Sequence, residues 1–264
     1  MNPINPQTSL QKMRVAKPLV QCITNFVAMN RAANTLLAAG ASPAMVHTAS
    51  ESGDFAKIAD ALTINIGTLS PDFMDGMKAA ILSANTAGKP WVLDPVANFA
   101  TPYRKAAAQE LLAMKPTVVR GNASEILALA GRESDGHGVD AGDSVLAAES
   151  GAKALAKQYC CTVVITGEID FVTDGARIAR VSGGSEIMTQ ITAMGCSLTC
   201  LIGAFLAVES DAFAASIAAL MLIAEAGSRT EKTAKGPGSF AWQFLDELAA
   251  LEPENSDLTR LTIE

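Results

Sequence analysis

Leu62-Thr-Ile-Asn-Ile66-Gly-Thr-Leu-Ser-Pro71 opens on a β-branched apolar run, breaks at Gly67-Thr68, and passes into a helical stretch reading from Pro71 to Ala87. A second apolar run, Trp91–Leu93, follows and ends at Asp94-Pro95. Strand Leu62–Ile66, helix and strand thus occur in one short span, with turn residues at each exchange. The same pattern extends in both directions. Upstream lie strands Leu19–Ile23 and Ala44–His47 with a helix over Ala28–Ala39. Downstream, helices over Pro102–Met114, Ala123–Ala130 and Asp143–Gln158 alternate with strands Thr117–Val119 and Thr162–Ile165. Such alternation predicts an α/β fold with a mainly parallel central sheet flanked by helices. The strands are apolar almost throughout, as burial on both faces requires.

The pattern changes after Thr166. Ile169–Thr173 and Arg177–Val181 flank Asp174-Gly175 and read as a hairpin. Helices over Cys196–Val208, Ala212–Thr230 and Ser239–Leu251 then follow with no strand between them. The segment Arg132–Gly142 is the most polar and glycine-rich internal stretch. No linker, composition break or repeat divides the chain, which predicts a single domain over residues 1–264.

Composition limits the function. The chain is 49% hydrophobic and 18% charged, which excludes disorder, and five cysteines in 264 residues do not make a disulfide scaffold. Its 20 Lys and Arg against 27 Asp and Glu give a net charge of −7, a poor balance for binding nucleic acid. A phosphate-bearing small molecule remains open, because backbone dipoles act locally. The apolar region Cys196–Ala226 is interrupted by Glu209, Ser210 and Asp211 and closed by Glu225, so it predicts two core helices and no membrane span. Residues 1–18 carry no hydrophobic signal region and the cysteines form no C-x-x-C, which predicts a cytoplasmic protein with reduced thiols. His47 and His137 are too few for a histidine-rich metal site.

There is no P-loop, no G-x-G-x-x-G after a strand and no G-x-S-x-G. In open parallel sheets ligands bind beyond the C-terminal strand ends. Those ends read Thr24-Asn25, Met45, Asn65-Ile66-Gly67-Thr68, Asp94-Pro95, Arg120-Gly121-Asn122 and Thr166-Gly167-Glu168. Asp94 is either a turn aspartate or a carboxylate that orients Mg²⁺ or its waters. Asn122-Ala-Ser-Glu125 is a capping box, and Glu125 could also face a metal-bound water. Arg120 suits a phosphate clamp or a surface ion pair. Thr192-Ala-Met-Gly195-Cys196-Ser-Leu-Thr199 runs from a small-residue turn into a long apolar helix, whose free N–H groups can hold a phosphate or a developing anion. Cys196 there is either a packed hydrophobe or a thiol of lowered pKa. Cys200, one turn on, reads as core.

Taken together, Gln21–Asn25, Met29-Asn30, Ala38–Met45, Leu62–Leu69, Leu93–Val96, Arg120–Glu125, Gly138–Ala141, Ile165–Glu168, Met194–Thr199 and Lys235–Phe240 resemble hydroxyethylthiazole kinases in order and spacing, over roughly residues 18 to 250. The resemblance implies a ribokinase-like fold. It implies transfer of the ATP γ-phosphate to the primary alcohol of 4-methyl-5-(2-hydroxyethyl)thiazole in thiamine salvage. By the same resemblance, Met45 lines the thiazole pocket and Ala193 contacts substrate through its backbone. Arg120 and Thr166 contact ATP, Asp94 and Glu125 organise Mg²⁺, and Cys196 stands where the wider superfamily has an aspartate base. A homotrimer is implied, with active sites between subunits to which Asn25, Gly67 and Thr68 contribute. Two positions depart from the pattern: Ala97-Asn98-Phe99 replaces Gly-x-Gly after Asp-Pro-Val, and Ala193 replaces a turn glycine. Both changes remove freedom at positive φ. Other reactions on this fold are a kinase for another vitamin alcohol and an NAD(P)HX dehydratase-type lyase. A non-catalytic binder of thiazole or nucleotide is a third reading.

Overall fold

The apolar runs become strands with two buried faces. In the computed structural model, which describes residues 4–131 and 141–264, six of them stand parallel. These are β1 (Leu19–Ile23), β2 (Ser42–Ala44), β3 (Ala61–Asn65), β4 (Trp91–Asp94), β5 (Val118–Asn122) and β6 (Thr162–Thr166). Strands β7 (Ile169–Thr173), β8 (Ile178–Ser182) and β9 (Leu261–Ile263) extend the sheet antiparallel. The order is β2-β1-β3-β4-β5-β6-β7-β8-β9. Residues 132–140, with His137 and most of the Gly138–Ala141 motif, lie outside the described residues.

Neighbouring residues on a strand serve opposite cores, as the period of two demands. Val92, Val118 and Val164 enter one core, while Leu93, Val119 and Val163 enter the other. Ten α-helices among the described residues cover these faces: α1 (Pro6–Ala16), α2 (Met29–Ala39), α3 (Ser52–Ile58), α4 (Pro71–Thr86), α5 (Pro102–Leu112), α6 (Ala123–Leu129), α7 (Ala141–Tyr159), α8 (Met194–Leu206), α9 (Ala212–Glu231) and α10 (Pro237–Ala250). Helices α1, α2, α8, α9 and α10 pack on the first face, and α3 to α7 on the second. Helix α9 is long and apolar enough to cross a membrane by composition, yet 83% of its apolar window is buried here, as expected of a core helix.

Three differences from the expected elements have physical causes. Strand β2 lies at Ser42–Ala44, ahead of the apolar run Ala44–His47, because its partner β1 pairs Leu19 with Ser42 and Gln21 with Ala44. It ends the sheet, where Pro43 is tolerated. Strand β5 continues through Arg120-Gly121-Asn122, since pairing with β6 persists to Asn122 and Thr166. Helix α1 forms on a polar sequence because Asn5 caps it, accepting the Thr8 N–H at 3.1 Å, while Pro6 opens it and Leu10 and Met13 are buried.

In the parallel half, Asn65 pairs with Asp94 and Asn122 with Thr166, so these ends share one sheet edge. The start of α8 packs beside them, which places the site.

Candidate active site

A cavity of about 290 Å³ opens at this edge, lined by Asp94, Arg120, Glu125, Ala193, Gly195 and Cys196 together with Met188, Ile191 and Met194. Asp94 ends β4 and is fully buried. Its Oδ2 accepts from Asn65 Nδ2 at 2.7 Å and Thr199 Oγ1 at 2.8 Å, and Arg120 Nη1 stands 3.6 Å away. Its Oδ1 has no partner among the described residues. Burial lifts the carboxyl to about 6, helped by the nearby Glu125 charge and opposed by Arg120, Thr199 and Asn65.

Glu125 is spoken for twice by backbone. Its Oε2 accepts the Asn122 N–H at 2.8 Å, completing the capping box that starts α6, and Oε1 accepts the Ala97 N–H at 2.9 Å. Capping and cavity lining therefore coexist in one side chain. Among the described residues, no cluster of three or more His, Cys, Asp or Glu could cage a metal alone. The orphaned Asp94 Oδ1 and the hard oxygen donors still suit Mg²⁺, which commonly takes one or two carboxylates and completes its shell with phosphate and water.

Arg120 donates to Thr166 Oγ1 at 2.6 Å, and its guanidinium lies against the backbone of Gly195. A Cβ on Gly195 would sit 2.6 Å from both terminal guanidinium nitrogens. A side chain at this position would push the guanidinium tips aside from the N-terminus of α8. Gly195→Ala should displace Arg120 and lower kcat/KM for ATP by about tenfold. Steady-state kinetics at varied ATP check this, and unchanged ATP kinetics would count against a phosphate role for the arginine.

Helix α8 starts on Ala193, which caps it with φ +64°; no side chain caps this end. The first N–H groups of the helix have no intrahelical acceptor, and Ala193, Met194, Gly195 and Cys196 line the cavity. Ala97 likewise has φ +50°. Both alanines keep a left-handed backbone, the freedom that glycine gives without a Cβ. Ala193→Gly and Ala97→Gly should each raise stability by about 0.5 kcal/mol, since relief of strain outweighs the extra freedom of the unfolded chain. Urea denaturation midpoints measure this, and a fall in both would show that the alanine backbones are unstrained.

Cys196, half-buried in the first turn of α8, accepts a hydrogen bond from Asn25 Nδ2 at 3.3 Å. The expectation of a lowered pKa is corrected here. Burial pushes the thiol up, and the neighbouring Asp94 carboxylate adds to this. Hydrogen bonding from Asn25 and the charge of Arg120 pull the other way and do not win. Cys200 is core, as expected.

Asn25 Nδ2 also donates to Asn65 Oδ1 at 2.9 Å, and Gly67 N–H donates to the same oxygen at 2.9 Å. Thr68 Oγ1 accepts the Phe26 N–H at 3.1 Å. Asn25, Gly67 and Thr68 are therefore joined at the ends of β1 and β3, on the Cys196 side of the site. Met45 is not among the residues lining the cavity. It follows β2, half-buried against the α2/α8 core, with its carbonyl 3.2 Å from His47 Nδ1. The sequence alone assigns no role to Asn65 and Thr199, although both lie in the quoted motifs. The available signal was a lone amide in the apolar run Leu62–Ile66, since a buried polar side chain needs partners.

Residues 10–254 match the hydroxyethylthiazole kinase family. The chain is 61% identical to the hydroxyethylthiazole kinase of Rhizobium johnstonii over 253 residues, 96% of this chain and 95% of the other. It is 60% identical to that of Gemmatimonas aurantiaca over 256 residues, 97% of this chain and 91% of the other. The chain belongs to the hydroxyethylthiazole kinase family. A solved hydroxyethylthiazole kinase structure from Pyrococcus horikoshii OT3 superposes with a TM-score of 0.89 at 37% identity, covering 98% of each chain. As a member of the hydroxyethylthiazole kinase family, the chain is a phosphotransferase of thiamine salvage with ATP as co-substrate, on a ribokinase-like α/β fold.

Proposed function

We propose that this chain, acting as one catalytic domain, transfers the ATP γ-phosphoryl group to the primary alcohol of 4-methyl-5-(2-hydroxyethyl)thiazole. The observation that carries this reading is the meeting of Arg120, the bare N-terminus of α8 and the buried Asp94 with its free Oδ1 around one cavity. Phosphoryl transfer asks mainly for alignment and charge neutralisation, and these groups supply both. Arg120, with Thr166 behind it, holds phosphate oxygens; the N–H groups at Met194–Cys196 stabilise charge on the migrating group. Asp94 and Glu125 would hold Mg²⁺ directly or through water, and the bound ion neutralises phosphate charge. The acceptor alcohol lies towards Asn25, Gly67, Thr68 and the Ala193 backbone. Cys196 takes the hydroxyl proton in its thiolate form, after its own proton has passed to solvent. Burial and the Asp94 carboxylate raise its pKa and keep that form scarce, so it serves as a weak, late proton acceptor.

The test is incubation with ATP, a panel of divalent metals and a panel of small vitamin alcohols, with mass detection of product. Phosphorylated hydroxyethylthiazole is the expected product. ADP release only with a pyrimidine or pyridoxal-type alcohol would reassign the substrate, and binding without turnover would make the chain a sensor.

The same reading makes the enzyme a homotrimer with sites between subunits. Phe26 and Val27 support it: they are 63% and 61% exposed directly beside Asn25 and Thr68, an apolar pair suited to a partner surface. Light scattering should give about three times the 27.4 kDa chain mass, and a fully active monomer would contradict the shared site. A cytoplasmic setting agrees with five free cysteines, Cys160 among them exposed.

A further inference from the structure

Arg104 lies outside every motif quoted above, yet its side chain spans the two loops between which the reaction must be aligned. It sits in the first turn of α5, where its N–H donates to the cap Thr101 Oγ1 at 3.2 Å. From there the guanidinium reaches the sheet edge. Nη1 donates to the Ile66 carbonyl at 2.8 Å and to the Val96 carbonyl at 3.0 Å, and Nη2 donates to the Gly67 carbonyl at 2.6 Å. Among the described residues no carboxylate forms an ion pair with it. Its charge is spent on backbone carbonyls alone, which strengthens those hydrogen bonds.

The carbonyls belong to two different strand exits. Ile66 and Gly67 follow β3 and lead to Thr68 on the acceptor side. Val96 follows β4 and leads to Ala97, whose left-handed backbone donates its N–H to Glu125 Oε1. One planar fork therefore fixes the acceptor-side loop against the loop that follows Asp94 and is held by Glu125. We propose that Arg104 is a positioning residue for phosphoryl transfer, setting the separation of these loops without touching substrate. In-line transfer is sensitive to small misplacements, so the effect falls on the chemical step rather than on nucleotide binding. A lysine gathers its donors on one nitrogen and cannot reproduce the reach of Nη1 and Nη2 to both loops.

The inference rests on the kinase reading for its kinetic arm and on geometry alone for its second arm. In the kinetic arm, Arg104→Lys and Arg104→Met are compared with the full-length wild type on ATP and hydroxyethylthiazole, below their melting temperatures. Both should lose at least tenfold in kcat, with KM for ATP held within twofold, and free guanidinium should restore part of the rate to Arg104→Ala. In the second arm, hydrogen exchange of the unliganded protein should show the Gly67 and Ala97 amides losing protection together in Arg104→Lys. Wild type without kinase activity would overturn the kinase reading and leave the exchange arm to decide. Variants with wild-type kcat and only a lower melting temperature, or exchange unchanged at either loop, overturn the proposal. If Arg104→Met fails to fold, Arg104→Lys decides both arms.

Discussion

Asp94→Asn should cut turnover at least a hundredfold, about 2.7 kcal/mol of transition-state stabilisation, while raising the melting temperature at pH 7.5 in metal-free buffer. The two effects have one cause. Asp94 is fully buried and its carboxyl is held up at about 6 against an ordinary 3.8, chiefly by burial. Its folded value lies above its unfolded value, so between about pH 4 and 6 the folded protein binds more protons, and stability falls as pH rises through that window. Above it, the ionised group costs folding free energy that the Asn65 and Thr199 hydrogen bonds and Arg120 do not recover. An asparagine keeps the volume and can still accept from Asn65 and Thr199, while carrying no charge at any pH. Its stabilising effect should therefore be full at pH 7.5 and nearly gone at pH 4.5. On the proposed reading, the cost is retained because the unpartnered Oδ1 keeps an acceptor available for the metal and phosphate groups. Thermal melts at both pH values and steady-state turnover give the answer. Near-normal turnover would remove Asp94 from the machinery, and a lower melting temperature at pH 7.5 would show that the ionised carboxylate stabilises the fold.

The parallel half of the sheet was legible because its strands announce themselves twice, by β-branched apolar runs and by polar residues where they end. Asp94 after Trp91–Leu93 is the clearest case, and the structure places it at the cavity. Arg120 was legible as a residue and misread as backbone: arginine and glycine look like a strand end, but pairing with β6 carries the strand through them. Helix α3 and strand β9 lack a strong periodic signal; β9 is formed by pairing of Val181 with Leu261 across a large sequence separation. The hydrogen bonds from Asn65 and Thr199 to Asp94 and the reach of Arg104 to two loops are tertiary facts of the same kind, visible only once the strand ends are aligned. The Cys196 pKa failed for a related reason. A helix N-terminus alone lowers a thiol, but the sequence does not say that a second anion, Asp94, shares the pocket or that the thiol is buried.

Cys196 is where these arguments converge. Cys196→Ala should lower kcat by about tenfold to a hundredfold, the share of a modest general base, with KM for ATP within twofold. Arg120, Asp94 and the N–H groups of α8 all remain in that variant, so alignment and charge neutralisation survive. Cys196→Asp places a carboxylate where Asn25 Nδ2 already donates to sulfur, with the first turn of α8 at its back. Those donors favour an anion, whereas burial and Asp94 oppose it, as they do for the thiol. An ionised carboxylate accepts a proton directly, whereas the cysteine must first lose its own to form a scarce thiolate, so this variant should fold and work within tenfold of the wild type or exceed it. A cysteine present only for packing predicts the reverse pair: Ala at little cost, and Asp misfolded because a buried carboxylate without adequate partners costs several kcal/mol. Turnover and melting temperature of the two variants, measured side by side, separate the cases. A full-speed Ala variant beside a misfolded Asp variant would end the base assignment, and the alcohol would then lose its proton directly to phosphate or solvent.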